Sequence, residues 1–272
     1  NLTVIITLTL CKKRQRRTRV EWFILNLAIA DIFVALYNNP IEIAWAVTIS
    51  WNAGDAACKI LMFCRAFGFY LSSFILVAIS FDRYFAVAKP LSTGTADERG
   101  KIMLITAWTT AVFASLTQVF FYLAKHPNLE NFYQCVVTND SFPNHIVEMF
   151  YHAFNFISVY FLPLVVIIVS YSLIIIIISK RSRQTIGCNS NRVTLRISGL
   201  NRIEQARAKT LKMTIVIVLA FIICWTPYYV LAAWCWLFQD SVQNYVNQWI
   251  QEILFIFAIS NSCADPIIYG LL

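Results

Sequence analysis

Long apolar runs alternate along this chain with short polar stretches that are mostly basic. The runs cover Asn1–Leu10, Val20–Ile49, Ile60–Ala86, Ile102–Leu123, Ile146–Ser179, Leu211–Phe238 and Ile250–Leu272. Segments such as Thr214–Cys224 and Phe161–Ile178 hold no charge at all, which a helix with one face in water could not sustain. Six of the seven runs reach or exceed the roughly 20 residues that cross a bilayer as a helix. The pattern predicts an all-α membrane protein, a seven-transmembrane helix bundle forming one domain over residues 1–272. Asn1–Leu10 is about half a span, there is no initiator Met or signal peptide, and no hydrophilic tail follows Leu272. The expectation is therefore a chain cut inside span one and just after span seven.

Composition agrees, with 59% hydrophobic and 13% charged residues against about 25% charged in soluble domains. The net charge of +8 matters through its placement. Nineteen of the 22 basic residues follow the first, third and fifth runs, leaving Lys59, Arg65 and Lys125 for the opposite side, where Glu42, Asp55, Glu130, Asp140, Glu148, Asp240 and Glu252 fall. The basic side is predicted to be cytoplasmic. That puts the N-terminus outside and the C-terminus inside, and it accounts for the charge by topology and contact with anionic membrane lipid, without nucleic acid as a partner. Lys180–Lys212 reads as the third cytoplasmic loop, helical where it continues the flanking spans and frayed around Gly187, Asn189 and Asn191. No repeat relates the two halves, which argues against a duplicated transporter.

Topology also sorts the cysteines. Cys58 and Cys135 fall on the outer, oxidising side, predicting a disulfide between them; Cys11 and Cys188 face the cytoplasm, and Cys64, Cys224, Cys235 and Cys263 lie within spans. Asn139-Asp140-Ser141 is a glycosylation sequon in the same outer loop. His126, His145 and His152 all sit near the outer face without metal-ligand spacing, so no enzyme site is found.

Asp82-Arg83-Tyr84 closes span three on the cytoplasmic side, and an acid–base pair at the edge of an apolar helix is costly unless it has a function. With Trp108, Pro163, Cys224-Trp225-Thr226-Pro227, Asp265-Pro266-Ile267-Ile268-Tyr269, Asn1 and Leu27–Asp31, the chain resembles rhodopsin-like, class A, G-protein-coupled receptors over its whole length. Lys209-Thr210-Leu211-Lys212-Met213-Thr214, Cys224–Leu231, Phe150-Tyr151-His152 and Gln134-Cys135-Val136 narrow the resemblance to the gonadotropin-releasing hormone receptor group, with its adipokinetic hormone and corazonin relatives. The resemblance implies a short, blocked neuropeptide as extracellular partner, a heterotrimeric G protein of the Gq class as cytoplasmic partner, and the plasma membrane as location. A vasopressin/oxytocin-type peptide receptor is the nearest alternative. A proton or ion transporter using Asp31 and Asp265 is the alternative from another class.

Arg65 lies seven residues after Cys58, about two helical turns into the membrane, and Glu42 lies at similar depth behind Pro40. Charges there face a wet cavity or each other. The resemblance assigns both to ligand contact; a mutual salt bridge is the rival reading. Trp45, His152, Tyr228, Tyr229 and Trp234 are candidate pocket aromatics, with helix packing or interfacial anchoring as the alternative. Cys235 stands where the hormone group carries an aromatic. Arg65 excludes amine receptors, which need a carboxylate there, and span seven lacks the lysine of opsins.

Asp31 and Asp265 should meet in mid-membrane, where two ionised carboxylates need compensation. They either share a proton or take a cation; the resemblance names Ser72, Asn261 and Ser262 as the further members of a candidate allosteric sodium site, and a hydrogen-bonded plug is the bland alternative. No other cofactor is expected. Trp225, with Phe221 one turn below and Pro227 interrupting the backbone ladder, supplies a hinge in span six. In the family this hinge frees Arg83 from Asp82, while Pro266 and Tyr269 complete the switch in span seven. Arg207 and Lys209 occupy the region where many relatives carry an acidic lock, leaving Glu204 as a substitute.

Overall fold

Span two begins where the sequence writes a helix start. Thr18 Oγ1 accepts a hydrogen bond from the Glu21 backbone N–H, and the Glu21 carboxylate in turn accepts one from the Thr18 backbone N–H, a reciprocal capping box that satisfies donors a helix end otherwise leaves open. The computed structural model describes residues 1–11, 18–89, 93–120, 122–125, 132–136, 142–187, 197–237 and 248–271.

Span one is the short helix Leu2–Ile6 continued by a π-helical turn, Thr7–Cys11. Span two runs Arg19–Phe33, then a π-helical turn Val34–Asn38, then Asn39–Thr48. That turn immediately precedes Pro40, whose ring and missing N–H a regular helix does not accommodate. Span three, Gly54–Ala88, is unbroken for 35 residues. Span four, Thr93–Ser115, tightens into a 3-10 turn, Leu116–Phe120. An outer hairpin follows, with β1 (Tyr122–Lys125) antiparallel to β2 (Tyr133–Val136) and Leu123 opposite Cys135. Span five is His145–Phe156, a π-helical turn Ile157–Phe161, and Leu162–Gly187. Span six, Ile197–Leu237, carries Pro227 inside it. Span seven breaks at Ser260 into Gln248–Ile259 and Asn261–Leu271.

Among the described residues, five helical stretches are long and apolar enough to cross a membrane: Arg19–Ala44, Gly54–Ala88, Thr95–Gln118, His145–Lys180 and Leu211–Cys235. The first helix is too short for this and the seventh is broken at Ser260, so these two are placed by packing. Two expected boundaries are corrected. Leu123 was counted in span four but is a strand residue, and span three starts six residues before Ile60, at Gly54.

Span three is the axis of the bundle. Leu71, Ile75 and Leu76 have no exposed surface and share one core with Phe23 and Leu27 of span two, Ile167 of span five, Ile217 and Phe221 of span six and Ala258 of span seven. Spans two and three approach closely at Gly68, where an added Cβ would stand 3.0 Å from both Val34 Cγ2 and Val34 N. A side chain there would have to push the Val34 backbone aside by a few tenths of an ångström, and glycine avoids this.

The proline breaks are repaired from neighbouring spans. Pro163 has no N–H for the Val159 carbonyl four residues earlier, and Ser73 Oγ of span three donates to that oxygen at 2.9 Å. Pro266 likewise deprives the Ser262 carbonyl, which accepts from Asn1 Nδ2 of span one at 2.7 Å. Each repair stitches two spans at a point where an unpartnered carbonyl would be costly.

Cys58 and Cys135 are disulfide-bonded with Cα atoms 5.6 Å apart. The link joins the outer end of span three to β2, and both cysteines pack with Ile41, Trp51 and Met62. Trp51 N donates to Tyr133 O at 2.7 Å, and Gln134 Nε2 to Ile49 O at 2.6 Å. Those bonds hold Ile49 in a left-handed conformation, φ 60°, that a β-branched residue adopts only under constraint.

Candidate functional site

Below the outer cap, Arg65 of span three and Glu42 of span two form an ion pair at 2.7 Å. Arg65 is largely enclosed, with 19% of its side chain exposed, while Glu42 keeps 42%. The guanidinium also lies over the Phe255 ring of span seven, Cζ 4.9 Å from the centroid, a cation–π contact strengthened by its dry surroundings. Three spans therefore converge on one arginine.

The floor beneath this arginine is aromatic. Phe255 packs against Tyr228 at 5.4 Å and Phe69 at 6.1 Å between ring centroids, and Phe69 meets Trp225 edge-on at 5.3 Å. Tyr229 stacks on Tyr160 of span five at 4.7 Å, and Trp225 stands 6.3 Å from Phe221. Tyr160 OH donates to the hydroxyl of Thr226, the residue before Pro227, at 2.8 Å, and that hydroxyl donates to Ile222 O at 2.5 Å. The hinge of span six is thus tied to span five by rings and hydroxyls.

His152 does not join this floor. It belongs to a second aromatic group with Phe142 and Tyr151 near the outer end of span five, where Tyr151 also meets Phe120. Between the two groups, Tyr70 OH donates to Asn155 Oδ1 at 2.6 Å. Trp234 is 51% exposed and enters none of the ring contacts among the described residues. Trp45 and Tyr269 lie on described helices, but their side chains, like those of Arg207 and Glu204, lie outside the described residues, as does Asn139.

Deeper in the bundle, Asp31 and Asp265 are fully buried and within electrostatic reach of one another. Asn261 is 2% and Ser72 8% exposed, and Ser262 is half-buried beside them. All four carboxylate oxygens, with Asn261 Oδ1, lack an aligned hydrogen-bond donor. The four carboxylate oxygens without aligned donors suit a hard cation or a shared proton. At the inner end, Asp82 and Arg83 are both buried and paired through Arg83 Nη2 and Asp82 Oδ2. Trp108 Nε1 donates to Asn26 Oδ1 at 2.9 Å, fixing span four to span two.

Two contributors were missed by sequence reasoning. Phe255 carries no motif, and only its helical position ten residues before Asp265, on the span facing Arg65, could have suggested it. Arg19 was counted merely as part of the basic cluster, yet its Nε lies 2.5 Å from Asp82 Oδ1.

An enclosed arginine paired with a half-exposed glutamate over an aromatic floor, a proline hinge beneath it and a paired arginine at the far end of span three are the parts of a helical bundle that transmits a signal through its helices. The family model described as "7 transmembrane receptor (rhodopsin family)" matches residues 1–269, and the chain belongs to this family of G-protein-coupled, multi-pass plasma-membrane receptors. Among curated proteins it is 37% identical over 270 residues to the gonadotropin-releasing hormone II receptor of Clarias gariepinus, covering 99% of this chain and 70% of that one. It is 33% identical over 264 residues to the gonadotropin-releasing hormone receptor of Bos taurus and 34% over 263 residues to that of Rattus norvegicus, each covering 95% of this chain and 78% of the relative.

Proposed function

We propose that the protein is the receptor for a short neuropeptide of the gonadotropin-releasing hormone, adipokinetic hormone or corazonin type, with its N-terminus outside and its C-terminus in the cytoplasm, signalling mainly through G proteins of the Gq class. The Arg65–Glu42 pair above the Phe255–Phe69–Trp225 ring series carries this reading. A peptide carbonyl or acid competes for Arg65, and a peptide donor competes for Glu42. Tyr228 and Tyr229 offer large, rigid surfaces to its rings. Drawing Arg65 away from Glu42 disturbs Phe255, then Phe69, then Trp225, and biases the bend at Pro227. The inner half of span six then moves and Arg83 leaves Asp82. The Gq class follows from the likeness to the hormone-receptor group in spans five and six.

Asp31, Ser72, Asn261, Ser262 and Asp265 would hold a sodium ion in the resting arrangement. The ion would supply the positive charge that two buried carboxylates lack.

Calcium release in cells expressing the receptor tests the function. The cells receive gonadotropin-releasing-hormone-, adipokinetic-, corazonin- and vasopressin-type peptides in turn. One of the first three should evoke a rise that a Gq-class inhibitor abolishes. A response to the vasopressin type alone, or ion uptake without any peptide, would contradict the proposal.

A further inference from the structure

Asp82 is shared by two arginines, and we infer that Arg19 is the standing counter-ion that allows Arg83 to leave. Arg83 pairs with Asp82 Oδ2, while Arg19 Nε approaches Oδ1 at 2.5 Å from span two. The arginines take opposite oxygens, so neither has to be displaced for the other to stay. The Arg19 contact is an ion pair without an aligned hydrogen bond, and Arg19 is 21% exposed where Asp82 is 5% and Arg83 10% exposed.

Two features of the fold place Arg19 there. The Thr18–Glu21 capping box fixes the first turn of span two, of which Arg19 is the first residue. Gly100 of span four leaves room for its stem: a Cβ at Gly100 would stand 3.0 Å from Arg19 Cδ and 3.1 Å from Cγ. The side chain passes over a glycine to reach the carboxylate.

The sign of the effect follows from electrostatics. A buried carboxylate that loses its only cation is left uncompensated, which is far costlier than losing one of two. Arg19 and Arg83 also repel one another across the carboxylate. Both effects favour departure of Arg83, so Arg19 is a positioning residue that promotes the signalling arrangement. An ordinary lock between spans two and three would do the opposite.

This inference rests on the proposed release of Arg83, and its test needs no knowledge of the peptide. Basal nucleotide exchange on a purified heterotrimeric G protein is measured for the reconstituted receptor and for Arg19→Gln at equal receptor density. Exchange should fall, and where a peptide agonist is in hand its potency should drop about five-fold or more, the lower range of such couplings. Gly100→Ala, which keeps the charge but crowds the stem, should lower exchange in the same direction and serves if Arg19→Gln does not reach the membrane. On an Asp82→Asn background Arg19→Gln should change exchange little, because no carboxylate remains to be compensated. Raised or unchanged exchange in both Arg19→Gln and Gly100→Ala overturns the inference. A peptide panel without response, beside a fall in basal exchange, would sink the ligand assignment and leave this role of Arg19 standing.

Discussion

Arg65 and Glu42 could be picked out of the sequence because charges two turns inside an apolar helix demand an explanation, but their partner could not. The sequence left ligand contact and a mutual salt bridge as competing readings; the structure shows the 2.7 Å pair, and the two readings become compatible once a ligand is seen as a competitor for each half. Phe255 was invisible because a single phenylalanine in an apolar span has no signature, and its value comes only from the approach of span seven to span three. Arg65→Gln removes both the ion pair and the cation on Phe255 while keeping a polar, uncharged side chain. It should lower agonist potency about ten-fold or more, equivalent to roughly 1.4 kcal/mol, with surface expression measured in parallel. Unchanged potency at equal expression would make Arg65 structural.

Among the elements, the spans were legible because lipid permits only long, nearly uncharged runs, a signal that survives without any knowledge of packing. Their ends were less legible. Apolar length does not distinguish a helix end from a strand, so Leu123 was counted in span four although its backbone pairs with Cys135. The π-helical turns before Pro40 and Pro163 and the repairs by Ser73 and Asn1 were also hidden, because a proline announces a broken ladder without saying which neighbour mends it. These repairs are testable in isolation. Ser73→Ala leaves the Val159 carbonyl unpartnered and should destabilise the purified receptor by about 1–3 kcal/mol, read as a lower Tm in detergent. Ser80→Ala is the control: that hydroxyl returns to Leu76 O of its own helix at 2.9 Å, an oxygen already served by the backbone ladder, so its Tm should stay near that of the parent. Equal losses in both variants would show that the interhelical bond has no special role.

In the whole molecule, three levels follow one another along span three: the disulfide-pinned hairpin, the Arg65–Glu42 pair with the Trp225 hinge, and Asp82 with its two arginines. The placement of basic residues supplies an expected orientation, and the disulfide was readable from topology. The coupling between levels was not readable, since it runs through ring contacts such as Phe255–Phe69–Trp225 that exist only when spans three, six and seven are packed. The central claim is that this bundle binds a short neuropeptide of the gonadotropin-releasing hormone, adipokinetic hormone or corazonin type at the site that Arg65 anchors. Equilibrium binding of one labelled peptide of each of the three types to membranes carrying the receptor tests it most directly. The account predicts saturable binding of at least one of them, displaced by the same peptide unlabelled and lost when Cys58→Ser removes the strap over the site. Binding that saturates for none of the three, or that persists unchanged in both Cys58→Ser and Arg65→Gln, would contradict it.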